Sequence, residues 1–545
     1  MDPFQRTAAN QARPLVEHDP VRGDAALVAA VRSLAPDDSD ALLDRLTPLA
    51  RLAGSAEAQE HGRLANAHPP TLKTADRYGN RIDEVEFHPS WHWLMERGVG
   101  FGLQAAPWTS SAPSAHLARA AGFHAWSQVE PGHMCPLSMT YASVPALRAD
   151  DALAKEWAPG LTSTVYSPGL GVPADKPGLL AGMGMTEKQG GSDVRSNLTR
   201  ADPANDGGYL LTGHKWFTSA PMNDMFLVLA QAENGLSCFV LPRVRPDGTR
   251  NAMTIVRLKD KLGNRSNASA ELEFDGAWVQ RLGDEGRGVR TIIEMVAATR
   301  LDCVLGSSAL MRRALAQAVW HATQRSAFGG LLSEQPAMRN VLADLAVESE
   351  AATLLAMRLA AAVDRGDDPH EQALRRIGLP LAKFWVCKRT PFMVAEALEC
   401  LGGNGFVEDS GMPLLFRESP LNSIWEGSGN VNALDVLRAL RREPAVLDAW
   451  LLEVGAASAQ DPHLDAAVRD VLASLSDLED VEVRARRLAA RMAACLQGAL
   501  LIRYGDDAVA DAFCASRLGG DWAGTFGTLP RGSDLAAIVA HTMPV

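Results

Sequence analysis

Hydrophobic and polar residues follow a helical period towards both ends of the chain and a strand-like period in the middle. Residues 40–52 (DALLDRLTPLARL) repeat apolar side chains three and four positions apart, which is typical of an amphipathic helix. Residues 179–279 instead carry short apolar or alternating runs, such as Glu271–Phe274, between glycine-containing turn signals. From residue 288 to 440 the helical period returns, and residues 341–363 alone predict a helix of about six turns. The pattern therefore predicts an α+β protein in which helices flank a β-domain.

The same pattern divides the chain into four predicted segments. We expect an N-terminal helical domain over residues 1–180 and a compact antiparallel β-domain, a small barrel or sandwich, over residues 181–283. A second helical domain is predicted over residues 284–440, and a helical C-terminal appendage over residues 441–545. The loop at residues 168–178 (PGLGVPADKPG) separates the first two segments.

Composition argues against several classes of function. The 545 residues carry a formal net charge of −12, so generic nucleic-acid binding would need a local basic patch. No apolar run reaches the roughly 18 residues needed to span a bilayer, and residues 1–20 lack a signal-peptide pattern, which predicts a cytosolic protein. The seven cysteines are scattered without CxxC pairs, which indicates buried thiols and predicts neither disulfides nor a metal site.

The strongest chemical signal is the run WEGSGN at residues 425–430. A carboxylate, Glu426, followed at once by Gly-Ser-Gly predicts an acid on a tight turn whose backbone N–H groups can approach a ligand closely. Such a turn can hold a cofactor while Glu426 faces a substrate. The alternative is an ordinary helix start, in which Ser428 or Asn430 caps a helix over residues 431–440.

Two further runs have the composition of a ligand site. Residues 182–193 are rich in glycine and hydroxyl groups and open the predicted β-domain, so their backbone amides can reach an extended aromatic ligand. They do not form the GxGxxG dinucleotide loop, because no strand–turn–helix unit surrounds them. Residues 215–219 (KWFTS) offer aromatic surface and hydroxyl donors at a strand end, and simple strand packing is the alternative.

Six separated motifs occur in the order found in acyl-CoA dehydrogenases. They are MGMTEKQGGSD, HKWFTS, DKLGNRSNASAELEF, QRSAFGGLLSEQPAMR, LECLGGNGF and WEGSGN. The chain therefore resembles the acyl-CoA dehydrogenase superfamily between about Gly62 and Arg442. Its motifs are most similar to those of the AidB-like branch, flavoproteins linked to the response to DNA alkylation. The resemblance implies FAD as cofactor, a four-helix bundle in the second helical domain, and a homotetramer.

The resemblance also assigns cofactor-binding residues. The loop that lines the flavin and the acyl site is matched by Met183, Gly184, Met185, Thr186, Gln189, Gly190, Gly191 and Ser192. The strand packed on the isoalloxazine ring is matched by Phe217, Thr218 and Ser219. The segment that reaches the FAD of a neighbouring subunit is matched by Arg325, Phe328 and Gln335. Further FAD contacts are implied for Gly402, Gly403 and Asn404, and for Ile424, Trp425, Gly427, Ser428, Gly429 and Asn430.

The resemblance implies a reaction in which Glu426 takes the α-proton of an acyl-CoA and flavin N5 accepts the β-hydride. A carboxylate of ordinary pKa, about 4.3, is a weak base for such a proton, so burial must raise its pKa and preorganised donors must stabilise the enolate oxygen. In the family these donors are the backbone N–H of the base and a ribityl hydroxyl of FAD. Many members carry Tyr before the base, whereas this chain has Trp425. The larger indole predicts a narrowed acyl pocket or a shielded flavin, and weak turnover of straight-chain acyl-CoA.

The AidB-like branch implies binding of double-stranded DNA through the C-terminal appendage. Residues 441–545 hold ten basic and fifteen acidic residues, a balance that disfavours phosphate binding. The candidate DNA contacts are Arg438, Arg441, Arg442, Arg484, Arg487 and Arg491. The alternative is that these arginines pair with acidic neighbours or form a solvated helix face.

Two functions from different classes therefore remain open. The first is an enzyme that dehydrogenates an acyl thioester and passes electrons to an electron-transfer flavoprotein or to oxygen. The second is a DNA-associated protective protein that uses FAD mainly as a scaffold.

Overall fold

The computed structural model describes residues 10–477 and 479–544 of the chain. Within these residues it forms seventeen α-helices. They are α1 (Ala25–Leu34), α2 (Ser39–Ala53), α3 (Ala56–Ala67), α4 (Pro89–Gly100), α5 (Ala115–Ser127), α6 (Met134–Leu147), α7 (Asp151–Leu161), α8 (Gly288–Ala322), α9 (Pro336–Asp364), α10 (Pro369–Cys400), α11 (Met412–Glu418), α12 (Gly429–Arg442), α13 (Ala445–Gly455), α14 (Pro462–Ser476), α15 (Ala485–Tyr504), α16 (Asp507–Phe513) and α17 (Leu535–His541).

The same residues form eleven β-strands. They are β1 (Thr71–Ala75), β2 (Arg81–Glu86), β3 (Ala181–Gly184), β4 (Arg200–Pro203), β5 (Tyr209–Ser219), β6 (Met225–Ala232), β7 (Gly235–Pro242), β8 (Met253–Leu258), β9 (Ser269–Leu282), β10 (Ser326–Ala327) and β11 (Gly330–Leu331). The strands β1 and β2 form one hairpin, and β10 and β11 form another. The remaining seven strands form one sheet.

The seven-stranded sheet closes on itself. Its order is β3-β6-β4-β5-β9-β7, β8 pairs with β9, and an additional pairing of β6 with β7 completes a ring. Most pairs are antiparallel, but β3 and β4 each run parallel to β6. Closure leaves few unpaired strand edges. The predicted small β-barrel is therefore observed, with two parallel pairings that the hydrophobic pattern did not indicate.

The chain folds into two compact units. The first comprises residues 10–56, 120–128 and 303–544, and the second comprises residues 57–119 and 129–302. In the second unit the barrel core is built from apolar side chains of facing strands. This core includes Phe226, Val228, Phe239, Leu241 and Leu272. Strands β6 and β7 are buried along most of their length, which explains why they are nearly continuous apolar runs instead of alternating ones.

In the first unit α9 is the central helix. Every residue from Leu342 to Ala362 is buried, so α9 has no solvent-exposed stripe over that stretch. It contacts α1, α10, α15 and α17 of the same unit. Helix α15, from the C-terminal appendage, also packs on α10 and α12. The appendage therefore contributes to the same buried core as the helical bundle.

The hairpin β1–β2 lies inside the segment predicted to be helical. Its side chains are mostly exposed and polar, so the sequence there has neither a clear helical nor a clear strand period. Leu72 and Val85 nevertheless pack against the barrel core. Asp83 accepts a hydrogen bond from the backbone N–H of Ile255 in β8 at 3.2 Å. Tertiary contacts with the barrel therefore stabilise a hairpin that the local pattern does not predict.

Two other expectations concern cysteines and membranes. All seven cysteines are buried and unbridged, as predicted. Among the described residues, none of the helices combines the length and apolar character required to cross a bilayer.

Candidate active site

The glycine-rich segment predicted to line a cofactor follows strand β3. Met183 and Gly184 end the strand, and the next residues form a loop closed by a bridge between Glu187 and Gly190. The side chain of Glu187 is fully buried and accepts hydrogen bonds from the backbone N–H groups of Leu198 (2.6 Å) and Thr199 (3.2 Å). This one carboxylate therefore ties the loop to the residues that precede strand β4.

Glu187 is paired with Lys215 of strand β5. Their Oε1 and Nζ atoms lie 2.7 Å apart, and the same ammonium donates to the carbonyl of Leu229 at 2.7 Å. Burial raises the pKa of Glu187, but Lys215 and the backbone donors outweigh burial and hold this pKa at about 2. Burial lowers the pKa of Lys215 to about 8. The pair is therefore ionised at neutral pH, and it joins the loop to the strand that carries the next candidate residues.

Strand β5 ends with Phe217, Thr218 and Ser219. The Thr218 side chain is fully buried, yet its Oγ1 has no hydrogen-bond partner in the described part of the chain. Phe217 is 53% exposed, although it is a large apolar side chain. An unsatisfied buried hydroxyl beside an exposed aromatic ring is the arrangement expected where a ligand completes a surface.

Residues 189–192 of the same loop leave the backbone accessible. Gln189 donates from Nε2 to Glu187 Oε2 (2.8 Å) and to the Ser196 carbonyl (3.1 Å). A Cβ on Gly191 would lie 2.5 Å from Thr186 Oγ1, so this position requires glycine. Contact of this loop with a ligand stays a prediction.

In the first unit, Glu426 lies on a strained turn before helix α12. Its φ is +56°, in the left-handed region, and Gly427 follows with φ +97°. A non-glycine residue in this region costs about 1–3 kcal/mol and persists only where other interactions enforce it. The tight turn predicted from the sequence is therefore present, and its strain lies at the candidate base itself.

Lys383 of helix α10 supplies the interactions that hold this turn. Its ammonium is buried and donates to the carbonyls of Asn422, Trp425 (2.9 Å) and Gly427 (3.2 Å). Three carbonyls around one cation close the turn from inside, with the carbonyls on both sides of Glu426 among them. The backbone of Glu426 is therefore clamped between two anchored neighbours.

The side chains of the turn are held in the same way. The Trp425 indole N–H donates to Asn422 Oδ1 at 2.8 Å, and Asn422 Nδ2 donates to Ser307 Oγ at 3.1 Å. The indole is thus fixed against its own turn.

The alternative, an ordinary capped helix start, is met in position but not in its capping hydrogen bond. Helix α12 begins at Gly429 with Ser428 at the N-cap position, but the Ser428 side chain makes no capping bond. Asn432 instead donates to the carbonyls of Gly427 (2.6 Å) and Ser428 (3.1 Å). The segment is therefore a helix start whose polar contacts serve the turn.

Two other candidate segments form exposed turns in the first unit. Phe328 is 99% exposed, with φ +53°, at the tip of hairpin β10–β11. Arg325 donates to the carbonyl of Asn10 at 2.8 Å, and Gln335 Nε2 donates to the carbonyl of Ala327 at 3.2 Å. These two residues therefore hold the hairpin, and Phe328 projects from it.

The glycine turn at Gly402–Phe406 is a short 3-10 helix after α10. Gly402 has φ +59°, and no atom would touch a Cβ added at Gly403. Asn404 Nδ2 donates to Gln11 Oε1 at 3.0 Å.

Comparison with known proteins identifies the family. Residues 10–168 match the adaptive response protein AidB N-terminal domain, residues 182–277 the acyl-CoA dehydrogenase middle domain, and residues 286–441 the acyl-CoA dehydrogenase C-terminal domain. AidB of Escherichia coli is 46% identical over 511 residues, and the match covers 93% of each chain. The chain belongs to the AidB branch of the acyl-CoA dehydrogenase family. The predicted family is thereby confirmed.

Other members of the acyl-CoA dehydrogenase family extend this result. Acyl-CoA dehydrogenase family member 11 of Caenorhabditis elegans is 30% identical over 534 residues, with 90% of this chain and 85% of the relative covered. The crystal structure of C. elegans ACDH-11 in complex with C11-CoA has a TM-score of 0.84 at 28% identity, covering 99% of this chain and 93% of that chain. Butyryl-CoA dehydrogenase from Megasphaera elsdenii, at 21% identity and a TM-score of 0.60, covers 74% of this chain and 98% of that chain and shares the fold. The predicted fold class is confirmed.

The residues present fit the flavin that the acyl-CoA dehydrogenase family implies. The unpartnered Thr218 hydroxyl and the exposed Phe217 ring lie on the strand assigned to the isoalloxazine. In the first unit, Asn432 Oδ1 is buried without a hydrogen-bond partner among the described residues, next to the Glu426 turn. In each unit, the orphan polar group is one that a polar ligand would satisfy.

The candidate DNA-binding arginines mostly pair with acidic side chains. The pairs are Arg438–Asp435 (3.3 Å), Arg441–Glu482 (3.6 Å), Arg484–Asp477 (3.3 Å) and Arg491–Asp470 (3.8 Å). Arg442 and Arg487 are exposed. Four of the six charges are therefore partly neutralised within the protein, in agreement with the alternative of acidic pairing.

Sequence reasoning missed the residues that hold the site together. Lys383, Asn432 and the buried pair of Glu187 with Lys215 were not among the candidates. Lys383 carries one visible signal, since it is a charged residue inside the apolar run GLPLAKFWVC of α10. Lys215 and Glu187 lie within the recognised motifs, but their pairing depends on how the loop folds over β5.

Proposed function

We propose that this protein is a flavin-dependent acyl-CoA dehydrogenase in which Glu426 removes the α-proton of an acyl thioester. The observation that carries the proposal is the strained backbone of Glu426, held by a buried lysine at the position where the family resemblance implies the base. Strain maintained by dedicated contacts is characteristic of functional positions.

FAD, when bound, supplies the acceptor for the β-hydride at N5 of its isoalloxazine ring. Thr218 and the loop residues Met183–Ser192 would hold the ring and its substituents in the second unit. In the first unit, Ile424 on the Glu426 turn is 62% exposed, and the family resemblance assigns it to the flavin. These roles follow from the matched motifs and from the exposed or unsatisfied groups described above.

Glu426 would act as a general base, taking the proton onto its carboxylate. Removal of an unactivated α-proton requires the developing enolate oxygen to be stabilised by fixed donors. The backbone N–H of Glu426 is suited to this role because the peptide unit that carries it is anchored by Lys383 through the carbonyl of Trp425. Preorganised donors need no rearrangement during the reaction, so an anchored turn is worth more than a mobile one.

The substrate, acceptor and assembly are part of the same proposal. An acyl-CoA or related thioester would be oxidised, and the electrons would pass to an electron-transfer flavoprotein or to oxygen. Trp425, fixed by Asn422, would narrow the acyl site and make turnover of straight chains weak. Phe328, which is 99% exposed, would contact a neighbouring subunit in a homotetramer, as the family resemblance implies.

The test is anaerobic titration of the purified flavoprotein with acyl-CoAs of increasing chain length, monitored by flavin absorbance. Bleaching is expected in the wild type. Glu426→Gln is expected to retain FAD and lose bleaching, whereas the control Glu399→Gln, an exposed glutamate on α10, should behave as the wild type. Undiminished bleaching in Glu426→Gln would remove Glu426 from the mechanism.

A second candidate function is protection of DNA from alkylation, supported by the match to an adaptive response protein domain. In this proposal the C-terminal segment, residues 441–545, would bind duplex DNA through Arg442, Arg487 and their neighbours. The four internal ion pairs weaken this candidate, since paired arginines attract phosphates less. A gel-shift assay at low salt tests it, and absence of any duplex binding there would dispose of it.

A further inference from the structure

The second unit contains a cavity of about 400 Å³ outside the segments assigned to the cofactor. It lies between hairpin β1–β2, helix α4, the loop at residues 166–170 and the first residue before strand β3. Its lining includes none of residues 183–192 or 217–219, which carry the flavin motifs. This volume is in the range of sites for small molecules.

One side of the cavity is apolar. Phe87 and Trp91 stack with their ring centroids 4.7 Å apart, and Met95 lies one helical turn beyond Trp91 on α4. Trp91 and Met95 are fully buried, whereas Leu170 on the loop is partly exposed. This wall can take a flat ring or a short hydrocarbon chain.

The other side carries a buried cation, Arg243, at the end of strand β7. Its guanidinium is 7% exposed and donates to the backbone carbonyls of Pro221 and Asp83. Burial and the neighbouring Arg250 lower the pKa of Arg243 to about 10 against the attraction of Asp83, Asp224 and Glu84, which leaves it positively charged at neutral pH. Within the described residues it forms no ion pair with a carboxylate. A guanidinium has five N–H donors, so donors remain for a ligand.

The three carboxylates that line the cavity are each paired with another cation. The pairs are Asp83–Arg81 (2.9 Å), Glu84–Arg250 (2.6 Å) and Asp224–Lys176 (2.5 Å). Each lining carboxylate therefore has a closer cation than Arg243, although one of these cations, Arg81, lies outside the lining. Arg243 is left without a direct ion pair among the described residues. A buried guanidinium with unused donors is expensive in a folded protein, and one anionic group on a ligand would satisfy them.

A second polar contact faces the same space. His92 on α4 and Tyr166 on the loop both line the cavity, and His92 Nδ1 lies 2.8 Å from the Tyr166 hydroxyl. Burial lowers the pKa of His92 and raises the pKa of Tyr166, so both are neutral at pH 7. This neutral pair can position an oxygen atom without adding charge.

We propose that the cavity binds a small amphipathic carboxylate, with its anionic group on Arg243 and its apolar body against Phe87 and Trp91. A monoanion matches the one lining cation that makes no direct ion pair among the described residues, whereas the greater negative charge of a phosphate group would also meet the three lining carboxylates. Glu84 and Arg250, which also line the cavity, are exposed and pair with each other at 2.6 Å. The site is separate from the thioester site and does not depend on the proposed dehydrogenase activity.

Calorimetric titration of the purified holoprotein with 3-phenylpropionate tests the proposal, with 3-phenylpropanamide as the neutral match. The carboxylate is expected to bind at least about tenfold more tightly than the amide, because a charge-assisted bond to arginine is lost in the amide. Arg243→Gln should remove this preference, whereas Arg245→Gln, two residues along and outside the lining, should keep it. Equal affinity for acid and amide, or an unchanged preference in Arg243→Gln, would overturn the proposal.

A second variant and a second signal cover the remaining outcomes. Leu170→Trp fills the cavity and leaves Arg243 in place, so it should abolish binding even if Arg243→Gln fails to fold. Flavin absorbance should not change on binding, and an acyl thioester should not displace the carboxylate. Displacement together with a flavin shift would show that the cavity belongs to the thioester site, which would overturn a separate ligand site and leave the proposed dehydrogenase intact.

Discussion

The ammonium of Lys383 lies 2.9 Å from the carbonyl oxygen of Trp425, the residue immediately before Glu426. It also contacts the carbonyl of Gly427, the residue immediately after. A single buried side chain on α10 therefore holds the peptide unit that precedes the candidate base and the carbonyl of the residue that follows it. The backbone turn at Glu426 thus depends on a residue 42 positions away from Trp425 in the chain.

Lys383→Met is expected to reduce the rate of substrate-dependent flavin bleaching at least about tenfold while FAD stays bound. Loss of the ammonium removes this donor from the carbonyls of Asn422 and Trp425, at about 1–3 kcal/mol for a buried unsatisfied group, leaves the carbonyl of Gly427 with the Asn432 donor alone, and releases the strained backbone of Glu426. Anaerobic stopped-flow absorbance measures the rate at saturating thioester, where a positioning defect lowers kcat more than it raises KM.

The controls for Lys383 separate positioning from general stability. Lys155→Met alters an exposed lysine on α7 and should leave the bleaching rate unchanged. Lys383→Arg keeps a cation at the turn and should recover part of the rate. If Lys383→Met lowers only the melting temperature and bleaches at the wild-type rate, the lysine has no role beyond folding.

Thr218→Val is expected to weaken FAD binding by about tenfold. Among the residues that the structure describes, the buried Thr218 hydroxyl has no partner, so its bond to the cofactor would contribute about 0.5–1.5 kcal/mol, and more if the acceptor is charged. Equilibrium dialysis of the apoprotein with FAD measures the change. Thr212→Val, at an exposed position of the same strand, provides the matched control. Equal affinities in wild type and Thr218→Val would mean that the hydroxyl does not face the cofactor.

Much of the site could be predicted from local sequence, and the rest depended on packing. The turn around Glu426 and the loop after β3 were predictable because glycine and hydroxyl residues cluster within a few positions. The contacts of Lys383 with that turn were not, since they arise where α10 packs against a distant segment. Likewise hairpin β1–β2 has no apolar period, and contacts with the barrel decide its structure. The sequence around Arg243 is that expected of a surface arginine, and only the structure shows that this end of β7 is buried.

Glu187→Gln is expected to lower the free energy of unfolding by about 3–5 kcal/mol, because it leaves Lys215 buried without its partner. Chemical denaturation at pH 7 measures the loss, and Glu273→Gln on the exposed face of β9 serves as control. The folded-state pKa of Glu187, about 2, lies below its ordinary value of 4.5. Its contribution is therefore complete above pH 4.5 and is lost as the pH falls towards 2. A gap between wild type and variant that stays constant down to pH 2 would contradict this assignment.

For Glu350 of α9 we expect the opposite pH dependence of the free energy of unfolding. Burial, with repulsion from Asp24 and Asp506, raises its pKa to about 8 despite the attraction of Arg312, and neither carboxyl oxygen has a hydrogen-bond partner in the described part of the chain. His541 Nε2 also faces it at 3.6 Å. The folded-state pKa of Glu350 lies above its ordinary value of 4.5. The stability that comes from keeping Glu350 protonated is therefore complete below pH 4.5 and is lost as the pH rises through 8. Between pH 6 and 8 the free energy of unfolding should fall by about 2 kcal/mol in the wild type. Glu350→Gln should remove this decline, whereas Glu399→Gln should retain it. Parallel stability curves for wild type and Glu350→Gln would show that Glu350 is already ionised in the folded protein.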